Sequence, residues 1–133
     1  MTSYLSWSYL IFLLCAVGAI LIHELSHVAA ARVLGVKIKR FGLAWRGVYI
    51  VREHGSDSHN LMITMAGPLS NLLTMVACVP LSHRIHVHLV WMLLFACSQA
   101  VFLMNVLPLP WSDGLRAARL VRALARAEFS PAH

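Results

Sequence analysis

His23 and His27 stand four positions apart with Glu24 beside the first, and that spacing has a chemical use. On an α-helix, residues i and i+4 lie on one face, so two imidazole nitrogens can reach one metal ion. Glu24 is then close enough to accept a proton from a water molecule held by that ion. Two histidines and a carboxylate suit zinc, with the fourth position left open for water or substrate. A metal held in this way lowers the pKa of water and polarises a carbonyl, so that hydrolysis runs near neutral pH.

Such a site needs a third ligand. Asp57, Asp113, Glu53, Glu128 and the remaining histidines are the candidates. Asp113 is the best placed, because Pro108 and Pro110 unwind the backbone ahead of it and let its carboxylate turn back, while Gly114 allows a close backbone approach. His54–His59 reads as a solvated loop, and His83, His86 and His88 as an interfacial turn. Nothing in either spacing forces convergence on an ion.

The elements that must position these residues are written in the apolar pattern. The 133 residues are 59% hydrophobic and 12% charged, with a mean hydropathy of +0.73. That is too apolar for a soluble domain of this length and points to an all-α integral membrane protein, a single domain over 1–133. Three windows, about 8–34, 61–81 and 85–107, approach or exceed the roughly 20 helical residues that cross a bilayer. The first contains only Glu24 and Arg32 as formal charges, and the other two contain none. No charge precedes Trp7, so the first window reads as a retained span and not as a cleaved export signal. His23, Glu24 and His27 therefore fall inside a span, where uncoordinated polar groups cost several kcal/mol.

Between the first two spans, about 36–53, short runs of β-branched and aromatic residues alternate with Lys, Arg and Gly. They predict a small β-hairpin at the membrane interface, with Trp45 and Tyr49 at the depth that suits them. Asn60 is a plausible cap for the second span. After the third span, a helix over about 114–127 places Arg116, Arg119, Arg122 and Arg126 on one face, an amphipathic arrangement suited to anionic lipid. Basic residues follow the first and third spans, whereas the turn between the second and third holds only Arg84. This bias puts the N-terminus outside, the C-terminus in the cytoplasm and the active site towards the cytoplasmic side of the cell membrane. The net charge of +6 does not imply nucleic acid, since the chain supplies no soluble basic groove with aromatic platforms. Cys15, Cys78 and Cys97, one in each span, read as small buried hydrophobes and not as a disulfide framework.

Three motifs together carry a resemblance. His23-Glu24-Leu25-Ser26-His27, Ala66-Gly67-Pro68-Leu69-Ser70-Asn71 and the stretch from Asn105 through Pro108 and Pro110 to Asp113-Gly114 resemble, in order and spacing, the site-2 protease family of intramembrane zinc metalloproteases. The likeness covers most of the chain, in a minimal three-span form. It implies that His23, His27 and Asp113 bind one Zn2+, that Glu24 is the general base and acid, and that Asn71 and Asn105 help to position the substrate backbone. Trp111 and Ser112 depart from the family pattern, which has proline and leucine there, although the spacing to Asp113 is kept.

The function implied is zinc-dependent hydrolysis of a peptide bond in a membrane-spanning or membrane-anchored protein, with a single-span substrate locally unwound and added as a strand to the hairpin. Two alternatives stand beside it: a metal-binding membrane protein without hydrolytic activity, such as a carrier or sensor, and a catalytically silent binder of single-span proteins. So small a core also leaves room for a second copy or a partner subunit to seal the site.

Overall fold

Charge-poor apolar runs become helices because, away from water, backbone donors and acceptors must be paired within their own segment. The computed structural model describes residues 2–44, 47–53, 55–85 and 87–128. Along the chain come α1 (Thr2–Val33), β1 (Ile38–Ala44), β2 (Gly47–Arg52), α2 (Asp57–Arg84), α3 (His88–Val106) and α4 (Asp113–Glu128). The Trp7–Val33 part of α1, the whole of α2 and the whole of α3 are each long and apolar enough to cross a membrane. α2 packs against α1, α3 and α4, and α1 also packs against α3.

Helix α1 stops where a Schellman motif can form. Gly35 has φ +70°, a conformation that costs glycine nothing. Its N–H donates to Arg32 O at 3.1 Å, and Val36 N–H donates to Ala31 O at 2.8 Å, which satisfies carbonyls left open by the helix end. Val36 then joins Ala31 and Ile63 in a buried apolar cluster, so the cap also docks the hairpin onto α1 and α2.

The hairpin is antiparallel, with pairings from Ile38↔Arg52 to Ala44↔Gly47 and an irregularity between Ile38 and Arg40. Glu53 N–H donates to Lys37 O at 2.9 Å and continues the pairing past the strand ends. Trp45 and the side chain of Tyr49, expected at the interface, lie outside the described residues.

Several boundaries differ from the sequence expectation: α1 begins at Thr2 and not at about 8, α2 runs on to Arg84 and not to about 81, and the starts of α2 and α3 also shift. α2 begins at Asp57, and its cap is Ser56, whose hydroxyl accepts from His59 N–H at 3.3 Å. Asn60 lies inside the first turn, buried, and donates to Gly55 O at 2.9 Å. The loop expected over His54–His59 is thus partly helix, because a first turn is polar by need and looks like a loop when hydropathy is the guide. Helix α3 starts three residues later than expected, at His88, after the short connection that follows Arg84.

Two apolar clusters frame the bundle's interior. Cys15, Ala19 and Cys97 form one, and Ala31, Val36 and Ile63 the other. His23 and His27 fall between them along α1. Replacing Gly35 with Ala is expected to cost about 1 kcal/mol, the penalty of a left-handed residue with a side chain, read as a lowered unfolding midpoint in detergent with the folded helix content unchanged.

Candidate metal centre

The side chains of His23, His27 and Asp113 meet in one triangle. His23 Nε2 and His27 Nε2 each lie 3.1 Å from Asp113 Oδ2, and the two nitrogens are 3.2 Å apart. Four-coordinate zinc has ligands at about 2.0–2.1 Å, which puts neighbouring ligand atoms about 3.3 Å apart. The observed edges are close to that spacing. His23 and Asp113 are buried and His27 is nearly so.

Protonation decides what the triangle can hold. His27 Nδ1 lies 2.6 Å from Ile63 O, and a carbonyl can only accept. The neutral ring therefore carries its proton on Nδ1 and turns a lone pair on Nε2 towards Asp113. Burial works against a charge on Asp113, but with protons on the facing Nε2 atoms the hydrogen bonds from His23 and His27 outweigh that and hold the carboxyl well below the usual carboxylate range. Its charge stabilises the fold above that ordinary range and is lost only as pH falls through the lowered value. A proton can bridge only two of these three atoms at a time. One cation can bind all three, so the donor set fits a metal ion, and among the described residues no other group of metal-ligating side chains converges in this way.

Helix α2 braces the two rings from behind. Ile63, Gly67 and Asn71 stand one turn apart on it, in step with His23 and His27 on α1. The Asn71 side-chain amide meets His23 Nδ1 at 3.1 Å, so both outer nitrogens are tied to the same helix. Gly67 lies between these ties with no room to spare. A Cβ there would collide with His27 Nε2 and approach Cε1 of His27 to 2.6 Å and Cε1 of His23 to 2.7 Å. Gly67 thereby lets the imidazoles lie on the α2 backbone.

Asp113 reaches the triangle because the segment after α3 is tied down. Ser112, almost wholly buried, has its hydroxyl against the carbonyls of Leu107 and Leu109 and accepts from Leu115 N–H at 3.2 Å. It closes the loop and caps α4 in one stroke. Gly114 packs on the end of α3, where a Cβ would collide with Val106 O and come within 3.1 Å of Asn105 O. Trp111 points outward and is 68% exposed. Of the two residues that depart from the resembled pattern, Ser112 thus does the holding, a role that its type alone did not reveal.

Glu24 is half-buried and within electrostatic reach of His27, His23, Asp113 and Arg116. Asn105 is elsewhere engaged: its amide donates to Val101 O at 2.9 Å on its own helix. Of the two asparagines it is Asn71 that touches the centre. Glu53 and Asp57 are exposed, and the side chain of Glu128, like His54 and His86, lies outside the described residues. Cys15, Cys78 and Cys97 are free, buried thiols. On α4, Ala117 is buried and Leu120 and Leu124 are half-buried, whereas Arg116, Arg119, Arg122 and Arg126 are exposed.

No family model matches the chain, and no curated protein does so either.

Two substitutions away from the ligands test this construction. Gly67→Ala is expected to displace the imidazoles and weaken divalent-metal affinity at least as much as loss of a supporting hydrogen bond, about 10- to 100-fold, in competition titrations of the purified chain. Ser112→Ala is expected to cost about 1 kcal/mol of stability for the lost cap and to weaken metal binding as well, because Asp113 is the next residue.

Proposed function

We propose that the chain is a zinc-dependent intramembrane endopeptidase of the site-2 protease kind, acting on membrane-spanning or membrane-anchored proteins. The observation that carries this reading is the convergence of His23 and His27 from α1 with Asp113 from the start of α4, beside a carboxylate, Glu24, that is not used as a ligand.

A membrane setting is supported by the surfaces of the three long helices. Leu14, Val17 and Leu21 on α1, Leu73 and Val76 on α2, and Met92 on α3 are all exposed. Lipid covers such a surface at no cost, whereas water would not tolerate so extended an apolar area. In the proposed topology the basic residues of the hairpin and of α4 lie on the cytoplasmic side. His23 then sits about 15 Å along α1 from its cytoplasmic end, and His27 about 9 Å. The exposed arginines of α4 are suited to anionic head groups.

In the proposed reaction His23, His27 and Asp113 hold the ion. Zinc, when bound, supplies Lewis-acid activation of water and of the scissile carbonyl. Glu24 takes the proton from the attacking water and returns it to the leaving amine. A substrate helix must first unwind, since a helical carbonyl is already hydrogen-bonded, and the β1–β2 pair offers a strand edge for the extended segment.

Glu24→Gln separates this reading from that of a metal carrier. Cleavage of single-span substrates in reconstituted vesicles should fall by about 100- to 10,000-fold, as for loss of a general base, while one zinc per chain is retained by elemental analysis. Unchanged turnover in the variant would rule out the assigned mechanism. Zinc without turnover in the parent chain, over a broad substrate panel, would favour a silent binder.

A further inference from the structure

Asn71 has no exposed surface, and neither of its amide atoms is open to a substrate. Among the described residues, its side chain has one polar contact, with His23 Nδ1 at 3.1 Å. Which end of the amide faces the ring determines what His23 can do on its other side.

With the amide nitrogen towards the ring, Nδ1 must accept, and the imidazole proton then sits on Nε2, inside the triangle where an ion would bind. In that arrangement Asn71 Oδ1 is also buried without a donor. Turning the amide by half a rotation corrects the tautomer, since the oxygen then accepts the Nδ1 proton of His23 and Nε2 presents its lone pair to the centre, while the buried end of the amide without a partner becomes its nitrogen instead of its oxygen. The two ends of an amide are nearly equal in shape, so the hydrogen-bond network decides between them. His27 already follows the same rule, with Nδ1 donating to Ile63 O.

We propose that Asn71 is a positioning residue of the metal centre: its amide oxygen takes the Nδ1 proton of His23 and thereby fixes the tautomer and ring angle that turn Nε2 onto the ion. This rests on the reading of His23, His27 and Asp113 as metal ligands, and it replaces the substrate contact that the resemblance implied for Asn71. α2 then acts as a template for both rings, with the Ile63 carbonyl and the Asn71 carboxamide as paired acceptors two turns apart. Acceptors behind metal-bound imidazoles raise ligand basicity and hold ring orientation, so their loss is felt as affinity.

The test uses the full chain in detergent, with zinc affinity measured by competition against a chromogenic chelator and site geometry by the visible spectrum of the cobalt(II) form. Asn71→Leu should weaken zinc about 10- to 100-fold and alter the cobalt spectrum. Asn71→Asp, which when ionised beside the Nδ1–H of His23 can only accept, should stay within about threefold of the parent and keep its spectrum. Parent-like affinity in Asn71→Leu would overturn the proposal while leaving the metal centre standing, as would an Asn71→Asp variant as weak as Asn71→Leu. A parent chain that binds no zinc would remove the metal reading and this proposal together. If Asn71→Leu loses its helical circular dichroism, Asn71→Asp decides alone: retained affinity supports the oxygen-facing amide, and lost affinity with intact helices contradicts it.

Discussion

Three atoms with lone pairs, two imidazole nitrogens and a carboxylate oxygen, lie 3.1–3.2 Å from one another between apolar clusters. Without a cation this is an expensive arrangement, since a buried acceptor left unsatisfied costs about 1–3 kcal/mol and a charged one more. Much of the fold around it is explained by the need to hold that triangle. α1 supplies two vertices one turn apart, α2 supplies a carbonyl and a carboxamide behind them and a glycine where the rings need space, and the break after α3 supplies the third vertex.

The delivery of Asp113 shows how local chemistry sets long-range geometry. Pro108 and Pro110 end α3, but proline alone does not say where the chain goes next. Ser112 does, by bonding to the carbonyls of Leu107 and Leu109 in the loop beyond α3 and then capping the helix that follows. The loop is short and internally bonded, so the carboxylate is presented with little freedom left to lose on coordination. Gly114 completes the fit by letting the first turn of α4 rest on the last carbonyls of α3.

Much of this was legible in the sequence, for identifiable reasons. The three long helices follow from runs of apolar residues, and the meeting of His23 and His27 follows from helical period. Asp113 followed from its place after a double-proline break. What could not be read was anything that depends on which faces meet. The hydropathy pattern placed the start of α2 at Asn60, because the polar first turn capped by Ser56 resembles a loop. Asn105 is nearer Asp113 along the chain, yet it bonds to its own helix, while Asn71, far from the other motifs in sequence, lies against His23. Gly67 and Ser112 carry no chemistry of their own, and only the packing shows that the centre leans on them. The i, i+4, i+8 register of Ile63, Gly67 and Asn71 opposite the histidine pair was the one available signal, and it needs two helices to be considered together.

The central claim is that one ion is held by nitrogen and oxygen from His23, His27 and Asp113. X-ray absorption at the zinc edge of the purified, zinc-loaded chain measures this most directly. The account predicts a low-coordinate site with nitrogen and oxygen scatterers at about 2.0–2.1 Å, including the outer-shell signature of two imidazoles. Sulfur scatterers at about 2.3 Å, the distance expected of thiolate ligands, would place the metal at the cysteines and contradict it.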